Sequence, residues 1–325
     1  MISLRRMSLG SGYRYLMESV AAGDGAPLPS SNLTRHYATS GTPPGVFLGT
    51  GLAGLDDGRG IEHGSRVTEQ HLFNLLGMCA DPVTGQPLGR QPNRAHLSVA
   101  KRVALRVAAI PADHSPAESS EETARIEAEE RAKGGRFRAP VAGFDLTFSP
   151  SKSVSVAWAL ADRDTKAQIY ACHRQAIEVV LTYAEREVFH SRSGTNGVVQ
   201  EDIHGVVATA FSHWDSRAGD PQLHDHVVVA NRAQSVSDGV WRTLDSRGLY
   251  KSVVALSEMH QGVLSDLLTE KLGWGWDGRS RRHSERLRFE VTGVPEALRR
   301  VSLPAIRDTI PHPHDRVIWI PARRT

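Results

Sequence analysis

The chain has 325 residues, of which 40% are hydrophobic and 23% are charged, a composition that predicts a globular protein with one large core or two smaller ones. No apolar run of about 18 residues, no signal-peptide segment and no CxxC pair between Cys79 and Cys172 occur, so we expect an unexported protein of the bacterial cytoplasm with no membrane insertion. The formal charge of +3 permits a nucleic-acid partner.

The first part of the chain contains a predicted strand, a predicted helix and a turn-rich segment. Residues 2–9 are predicted as a strand, and after a glycine-rich break residues 13–22 have helical composition. Segment 23–44 is rich in Gly, Pro, Ser and Thr, which predicts a mobile surface segment. Tyr37 lies inside this segment.

A second helix is predicted to begin after Thr68, a residue type that caps helix N-termini, and to end at the Asp81-Pro82 break. Its apolar face is formed by Leu72, Leu75, Leu76 and Cys79. The acidic residues of segment 112–135 are interpreted as a solvated helix or loop, with no catalytic role.

The middle of the chain combines strands and helices. Residues 143–158 are predicted as a strand, a turn and an apolar segment, and an amphipathic helix follows over 164–188. Two strands are then predicted over 205–213 and 223–231, with a helical pattern after Tyr250. This order predicts an α+β fold with a central antiparallel sheet covered by helices.

Three histidines are predicted to share one face of this sheet. His224 and His226 are one residue apart in a predicted strand, so their side chains point the same way. An antiparallel return through residues 214–223 can bring His213 of the preceding strand beside them. Three imidazoles with open coordination positions are typical of a catalytic metal site, which predicts a divalent ion on His213, His224 and His226.

The metal prediction depends on the third histidine, because an isolated HxH pair is more often an ordinary surface or core feature. Imidazole accepts several metals; Mg²⁺ or Mn²⁺ is preferred here, and Zn²⁺, Ni²⁺ and Cu²⁺ are left open. A carboxylate is expected to orient one histidine through its second ring nitrogen, and Asp145 is the candidate.

The sequence closely resembles the MobF family of conjugative relaxases, the TrwC/TraI type. The resemblance is carried by FDLTFSPSKSVS over 144–155, GDPQLHDHVVVAN over 219–231, and the His213-Trp214-Asp215 segment at the family's distance before the HxH pair. It extends through GVFLGTG over 45–51 and WRTLD over 241–245, and covers roughly the first nine-tenths of the chain.

The resemblance implies a fold and a reaction. The fold is that of HUH endonucleases, in which an N-terminal tyrosine lies across the metal histidines of a central antiparallel sheet. The reaction cuts one DNA strand at a plasmid transfer origin, leaves a 5′-phosphotyrosine and later rejoins it to a 3′ hydroxyl. Single-stranded origin DNA is the implied partner, with other relaxosome and conjugation proteins. By the same resemblance Asp145 orients or polarises the histidines. Arg14, a basic residue close to the N-terminal tyrosines, and Lys152 are candidate DNA contacts, because basic side chains hold phosphates.

The nucleophile is sought among the N-terminal tyrosines. Family members often carry two pairs of adjacent tyrosines, whereas this chain has Tyr13 and Tyr15, separated by Arg14, and a single Tyr37. Matching the segment that begins at Tyr15 to the first family pair makes Tyr15 the leading candidate and Tyr13 the second. Tyr37 falls where the second pair ends, and the lack of pairing leaves open whether a second strand transfer uses a second tyrosine.

The C-terminal part departs from the family. Relaxases of this type usually continue into a helicase region, but no Gly-x-x-x-x-Gly-Lys-Ser/Thr motif occurs in the sequence. We therefore expect a nicking domain over 1–300, a tail over 301–325 and no helicase domain. Whether the short C-terminus is natural is left open.

Three other functions remain to be distinguished at this point. A metallohydrolase that uses a metal-bound water would turn over a phosphoester without a covalent adduct. A non-enzymatic DNA-binding module with the same fold would bind an oligonucleotide and leave it uncut. A replication-initiating nuclease of the same superfamily is less favoured, because its HUH pattern lacks the distant third histidine.

Overall fold

The computed structural model describes residues 1–10, 12–13, 16, 44–92, 99–107, 110, 116–132, 140–215, 221–281 and 284–300. The chain divides into two compact units. One comprises the described parts of Met1–Gly89 and Ala142–Thr325, and the other is Arg90–Val141. The three histidines and Asp145 belong to the first unit.

The described strands and helices are interspersed along the chain. The strands are β1 (Ile2–Ser8), β2 (Val46–Leu48), β3 (Val141–Phe148), β4 (Ser191–Ser193), β5 (Val199–Glu201), β6 (Ala208–Asp215), β7 (Pro221–Ala230), β8 (Ala233–Gln234), β9 (Trp241–Arg242), β10 (Trp276–Arg281) and β11 (Ser284–Val291). The helices are α1 (Glu69–Leu72), α2 (Val99–Val107), α3 (Pro116–Ala132), α4 (Lys152–Leu160), α5 (Arg163–Glu187), α6 (Ser246–Leu272) and α7 (Glu296–Arg300).

A five-stranded sheet forms the centre of the first unit. Its strand order is β1-β3-β7-β6-β2, so the two strands predicted to carry the histidines lie side by side. The pairs β3–β7, β6–β7 and β2–β6 are antiparallel. The prediction of an α+β fold with a central antiparallel sheet is therefore confirmed.

Each face of the sheet is covered by its own hydrophobic core. Phe211 and Val228, on the face of the histidines, pack in a cluster with Tyr13 and Leu16 of the N-terminal segment. Leu223 points to the opposite face, where it packs in a second cluster with residues of α4, α5 and α6. Burial on both faces explains the almost uninterrupted apolar character of β7 after His226.

The helix predicted after Thr68 begins there but changes form. The Thr68 hydroxyl accepts a hydrogen bond from the His71 amide, and the His71 side chain accepts one from the Thr68 amide, which completes a capping box. α1 then continues as a π-helical turn over Phe73–Gly77. Cys79 has a φ of 52°, which is incompatible with a right-handed helix, so the helix ends before the predicted Asp81-Pro82 break.

Several element boundaries differ from those predicted. The strands β6 and β7 extend to Asp215 and Pro221, farther into the predicted connection, because their pairing continues beyond the histidines. The hairpin of β10 and β11 was not predicted, although Leu287, Phe289 and Val291 alternate with polar residues as strand residues do. Strong charge in this region obscured the alternation.

Two buried histidines are expected to make the protein less stable in acid. His173 of α5 and His260 of α6 are fully buried, with 3.3 Å between His260 Nε2 and His173 Nδ1. Burial lowers the pKa of His173 from 6.5 to about 4, despite the opposing attraction of Asp225, and it lowers the pKa of His260 well below 6.5. The unfolded chain therefore binds protons more readily below pH 6.5.

We expect the free energy of unfolding to have its full value above about pH 6.5. It should decrease as the pH falls towards 4, and His173 alone should account for about 3 kcal/mol of this decrease. Urea unfolding at pH 7, 6 and 5 measures this decrease. His260→Gln should flatten the pH dependence, because it removes one of the two buried titrating rings. Parallel pH profiles for wild type and His260→Gln would contradict the prediction.

Candidate metal centre

The strand register brings the three predicted histidines together. His213 of β6 lies directly opposite His224 of β7, and Phe211 lies opposite His226. The centroids of the three imidazole rings are 5.1–5.3 Å apart. One ring nitrogen from each histidine lies within 4.8 Å of the other two, which places three ligand atoms around one position.

Hydrogen bonds to the ring edges determine which nitrogen of two histidines would ligate a cation. Asp145 of β3 contacts His226 Nδ1 through both carboxylate oxygens, at 3.0 and 2.9 Å. His224 Nδ1 donates to the Gln222 carbonyl oxygen at 2.7 Å. With Nδ1 protonated in these bonds, Nε2 is the nitrogen that offers a lone pair.

The third histidine is nearly closed off from solvent. His213 is 8% exposed, and its Nε2 is buried with no hydrogen-bond partner. Burial, together with the neighbouring imidazoles, lowers the pKa of His213 to about 3, and burial also lowers the pKa of His224. Both rings are therefore neutral at pH 7, the form in which imidazole binds metal.

The arrangement fits a resident divalent cation. A buried ring nitrogen without a partner is costly unless a ligand satisfies it, and a cation held by His213, His224 and His226 would do so. Three imidazoles leave coordination positions for oxygen atoms of a substrate. The Asp145–His226 contact is of the carboxylate–histidine kind that orients metal ligands.

The other residues singled out in the sequence lie in different surroundings. Lys152, at the start of α4, donates from Nζ to the Pro221 carbonyl oxygen at 2.8 Å, so this ammonium holds the beginning of β7. Tyr13 is 4% exposed and packs in the core on the histidine face. Arg14, Tyr15 and Tyr37 lie outside the described residues, as do 23–43 of the predicted mobile segment and all of the predicted tail over 301–325.

The sequence did not reveal the polar group behind the histidines. Asp225, between His224 and His226, is fully buried and pairs with Arg174 of α5, with 2.7 Å between Arg174 Nη1 and Asp225 Oδ2. The available signal was that Asp225 falls between Leu223 and Val227 on the strand face opposite the histidines, because a charge at such a buried position needs a partner. The identity of that partner, 51 residues earlier, required the tertiary structure.

Replacing Asp145 tests whether its charge supports the site. Asp145→Asn keeps an oxygen that can accept from His226 but removes the negative charge, so we expect metal affinity to decrease roughly 10- to 100-fold. Calorimetric titration with Mn²⁺ measures the effect. Thr147→Val is the matched control, since it removes only a 3.3 Å hydroxyl contact to the same His226 nitrogen. Equal affinities in the two variants would refute the role of Asp145.

Solved structures share this architecture. The conjugative relaxase TrwC in complex with mutant oriT DNA aligns with a TM-score of 0.57 and 21% identity, covering 91% of this chain and 76% of that one. A copper-bound TrwC structure with oriT DNA aligns with a TM-score of 0.56 and 22% identity, covering 90% and 75%. The fold is therefore that of a relaxase.

Comparison of sequences gives the same relationship. The multifunctional conjugation protein TraI of Escherichia coli is 33% identical over 155 residues, and that of strain K12 is 32% identical over 163. These matches cover 47% of this chain but only 8% and 9% of the TraI proteins, so the chain spans a small part of their length. The TrwC relaxase model matches residues 9–303, which include every residue of the histidine site, and the chain belongs to the TrwC relaxase family.

Proposed function

We propose that this protein nicks and rejoins one strand of DNA at a transfer origin by attack of Tyr15 on a phosphodiester. The observation that carries the proposal is the convergence of His213, His224 and His226, with Asp145 on the outer nitrogen of His226, in a member of the TrwC relaxase family. We take residues 1–300 as the nicking domain and 301–325 as a tail.

The reaction is a transesterification. The Tyr15 hydroxyl gives up its proton and its oxygen forms a bond to phosphorus, the bond from phosphorus to the 3′ oxygen breaks, and that oxygen takes up a proton. One fragment of the cut strand ends in a 3′ hydroxyl, and the other fragment is joined to Tyr15 through its 5′ phosphate. Attack of a 3′ hydroxyl on the phosphotyrosine reverses these steps and rejoins DNA.

The histidine site addresses the two difficulties of this reaction. A phenol with a pKa of about 10 is mostly protonated at neutral pH, and the phosphate oxygens repel an incoming anion. His213, His224 and His226 would hold a divalent cation, which would supply charge neutralisation at the phosphate and lower the cost of deprotonating the phenol. Asp145 keeps the His226 ring in the orientation in which Nε2 faces that position.

The N-terminal segment supports Tyr15 as the nucleophile. Tyr13 and Leu16 pack in the same cluster as Phe211, which lies directly opposite His226 on the histidine face. Tyr15 directly precedes Leu16 in the sequence. The core therefore anchors the two described neighbours of Tyr15 on the side of the sheet where the reaction is proposed.

The proposed substrate is single-stranded DNA of a transfer origin. Arg14 and Lys152 remain candidate contacts to its phosphates, and the hairpin of β10 and β11 adds the exposed Arg279 and Arg288, which lie directly opposite each other. Phe289, which is 55% exposed, lies on the other face of this hairpin. Basic side chains are the groups with which proteins contact the phosphates of single strands, and exposed aromatic rings are groups on which bases stack. Binding should then weaken steeply with salt.

The proposed setting is the bacterial cytoplasm, with other relaxosome and conjugation proteins as partners, because the curated relatives are bacterial conjugation proteins. Separately, none of the helices in the described part of the chain is both long and apolar enough to cross a bilayer. We propose Mg²⁺ or Mn²⁺ as the physiological ion. One related TrwC structure is copper-bound, so a titration should include Cu²⁺, Zn²⁺ and Ni²⁺.

One experiment separates the proposal from its alternatives. The protein is incubated with single-stranded oligonucleotides from its own plasmid's transfer region, with Mg²⁺ or Mn²⁺ and with EDTA. We expect a metal-dependent adduct that survives denaturation, and a free 3′ hydroxyl fragment. Cleavage without an adduct would indicate a water-using metallohydrolase, and tight binding without cleavage would indicate a DNA-binding module.

A further inference from the structure

The polar group on the reverse face of the sheet is centred on Asp225. This residue separates His224 from His226, so its side chain points away from them, and it is fully buried. Asp225 Oδ2 accepts hydrogen bonds from Arg174 Nη1 at 2.7 Å and from Ser212 Oγ at 3.0 Å. The Ser212 hydroxyl is also 2.8 Å from the Tyr170 hydroxyl.

The same carboxylate joins both strands that carry the histidines. Ser212 lies directly opposite Asp225 in the β6–β7 register, and Ser212 is adjacent to His213 just as Asp225 is adjacent to His224 and His226. A slip of one residue would turn Asp225 to the histidine face and leave Arg174 without its charge partner. The contacts of Asp225 therefore fix the alignment on which the three imidazoles depend.

A histidine chain extends this group to α6. The distances are 3.1 Å from Gln261 Nε2 to His260 Nδ1, 3.3 Å from His260 Nε2 to His173 Nδ1, and 3.7 Å from His173 Nε2 to Asp225 Oδ1. If each ring carries its proton on Nε2, Gln261 donates to His260 and His260 donates to His173, whereas the distance of 3.7 Å from His173 Nε2 to Asp225 Oδ1 is too long for a hydrogen bond. Both histidines are then neutral.

We propose that Asp225, with Arg174 and Ser212, is a positioning site for the metal histidines that acts through the strand backbone from the opposite face of the sheet. The inference rests on the proposed metal site at His213, His224 and His226. A buried ion pair by itself adds little to stability, because the cost of desolvation offsets the attraction, and the best-attested role of such a pair is to specify one register. Ser212 and Asp225 lie directly opposite each other in the β6–β7 register, so this group can serve that role.

Cobalt affinity tests the proposal, since Co²⁺ bound to imidazoles has visible absorption. Asp225→Asn, Arg174→Met and Ser212→Ala are titrated with Co²⁺ at a temperature well below the unfolding transition of each variant. We expect affinity to decrease roughly 10- to 100-fold for the first two, the range typical of lost support behind metal ligands, and less for Ser212→Ala. A change in the cobalt spectrum should accompany these losses. Arg174→Lys, which keeps a cation beside Asp225, should bind Co²⁺ more tightly than Arg174→Met.

Arg192→Met is the matched control for lost stability. It breaks an ion pair with 2.7 Å between Arg192 Nε and Asp245 Oδ2, at the N-terminus of α6 rather than behind the histidines. This variant should lower the unfolding temperature and leave cobalt affinity unchanged. Should Asp225→Asn fail to fold, Ser212→Ala and the two Arg174 variants decide the question.

The two ways of failing are distinguishable. If the wild type binds cobalt tightly and every folded variant at Asp225, Arg174 and Ser212 has the affinity and the spectrum of the wild type, the positioning role alone is overturned. Absence of cobalt binding by the wild-type protein would overturn the metal site itself, and the positioning role with it.

Discussion

His224→Ala is expected to abolish metal-dependent nicking. The substitution removes one of the three imidazole ligands. It is the ring that the Gln222 carbonyl oxygen orients through a hydrogen bond from Nδ1. Metal affinity should decrease by more than roughly 100-fold, the upper range for loss of an outer hydrogen bond, and the nicking rate by about 10³. Calorimetry and a gel assay of oligonucleotide cleavage measure the two effects.

The same variant distinguishes catalysis from DNA binding. The protein should still bind the oligonucleotide, because the phosphate contacts proposed for Arg14, Lys152 and the β10–β11 hairpin do not involve His224. His63→Gln, at an exposed histidine outside the cluster, should retain both metal binding and cleavage. Undiminished nicking by His224→Ala would remove the basis of the proposed mechanism.

Tyr15→Phe is expected to eliminate the covalent adduct. Phenylalanine keeps the ring and removes only the oxygen that would bond to phosphorus, so adduct formation should fall below detection, by more than about 10³. Metal affinity should be unchanged, because the three proposed ligands are the imidazoles of His213, His224 and His226. Denaturing electrophoresis of a labelled oligonucleotide after incubation with protein measures the adduct.

The other two tyrosines provide the controls. Tyr13 is buried in the core with Leu16 and Phe211, so Tyr13→Phe should affect packing and retain the adduct. Tyr37→Phe should retain the first cleavage and reports on any second transfer. An adduct that persists in Tyr15→Phe and disappears in either control would reassign the nucleophile.

Local pattern was sufficient to predict much of this site. The spacing of His224 and His226 places them on one face of any strand, and Thr68 caps the helix that follows it because its hydroxyl reaches the next backbone amides. These features involve residues within a few positions of one another. Backbone geometry at that range is fixed by bond lengths and sterics, so it can be inferred from sequence.

The contacts that complete the site were decided by tertiary structure. Asp145 reaches His226 across 81 positions, and Arg174 reaches Asp225 across 51. Lys152 was predicted as a phosphate contact from its sequence motif, and only the tertiary structure shows that its ammonium also donates to the Pro221 carbonyl oxygen. Which side chains meet over such distances depends on strand order, register and helix packing, and these are set by burial of the whole core rather than by any local segment.

The sequence by itself therefore determined which functional groups the protein has. These are two histidines in one strand, a third histidine in the preceding strand, and tyrosines near the N-terminus. Tertiary structure set the register that places His213 directly opposite His224 and brought the predicted carboxylate, Asp145, to His226 Nδ1, and it alone revealed the buried ion pair behind them. The physical reason is that the spacing of residues along a strand fixes which face each side chain occupies, while only the packing of the complete chain fixes which strands become neighbours.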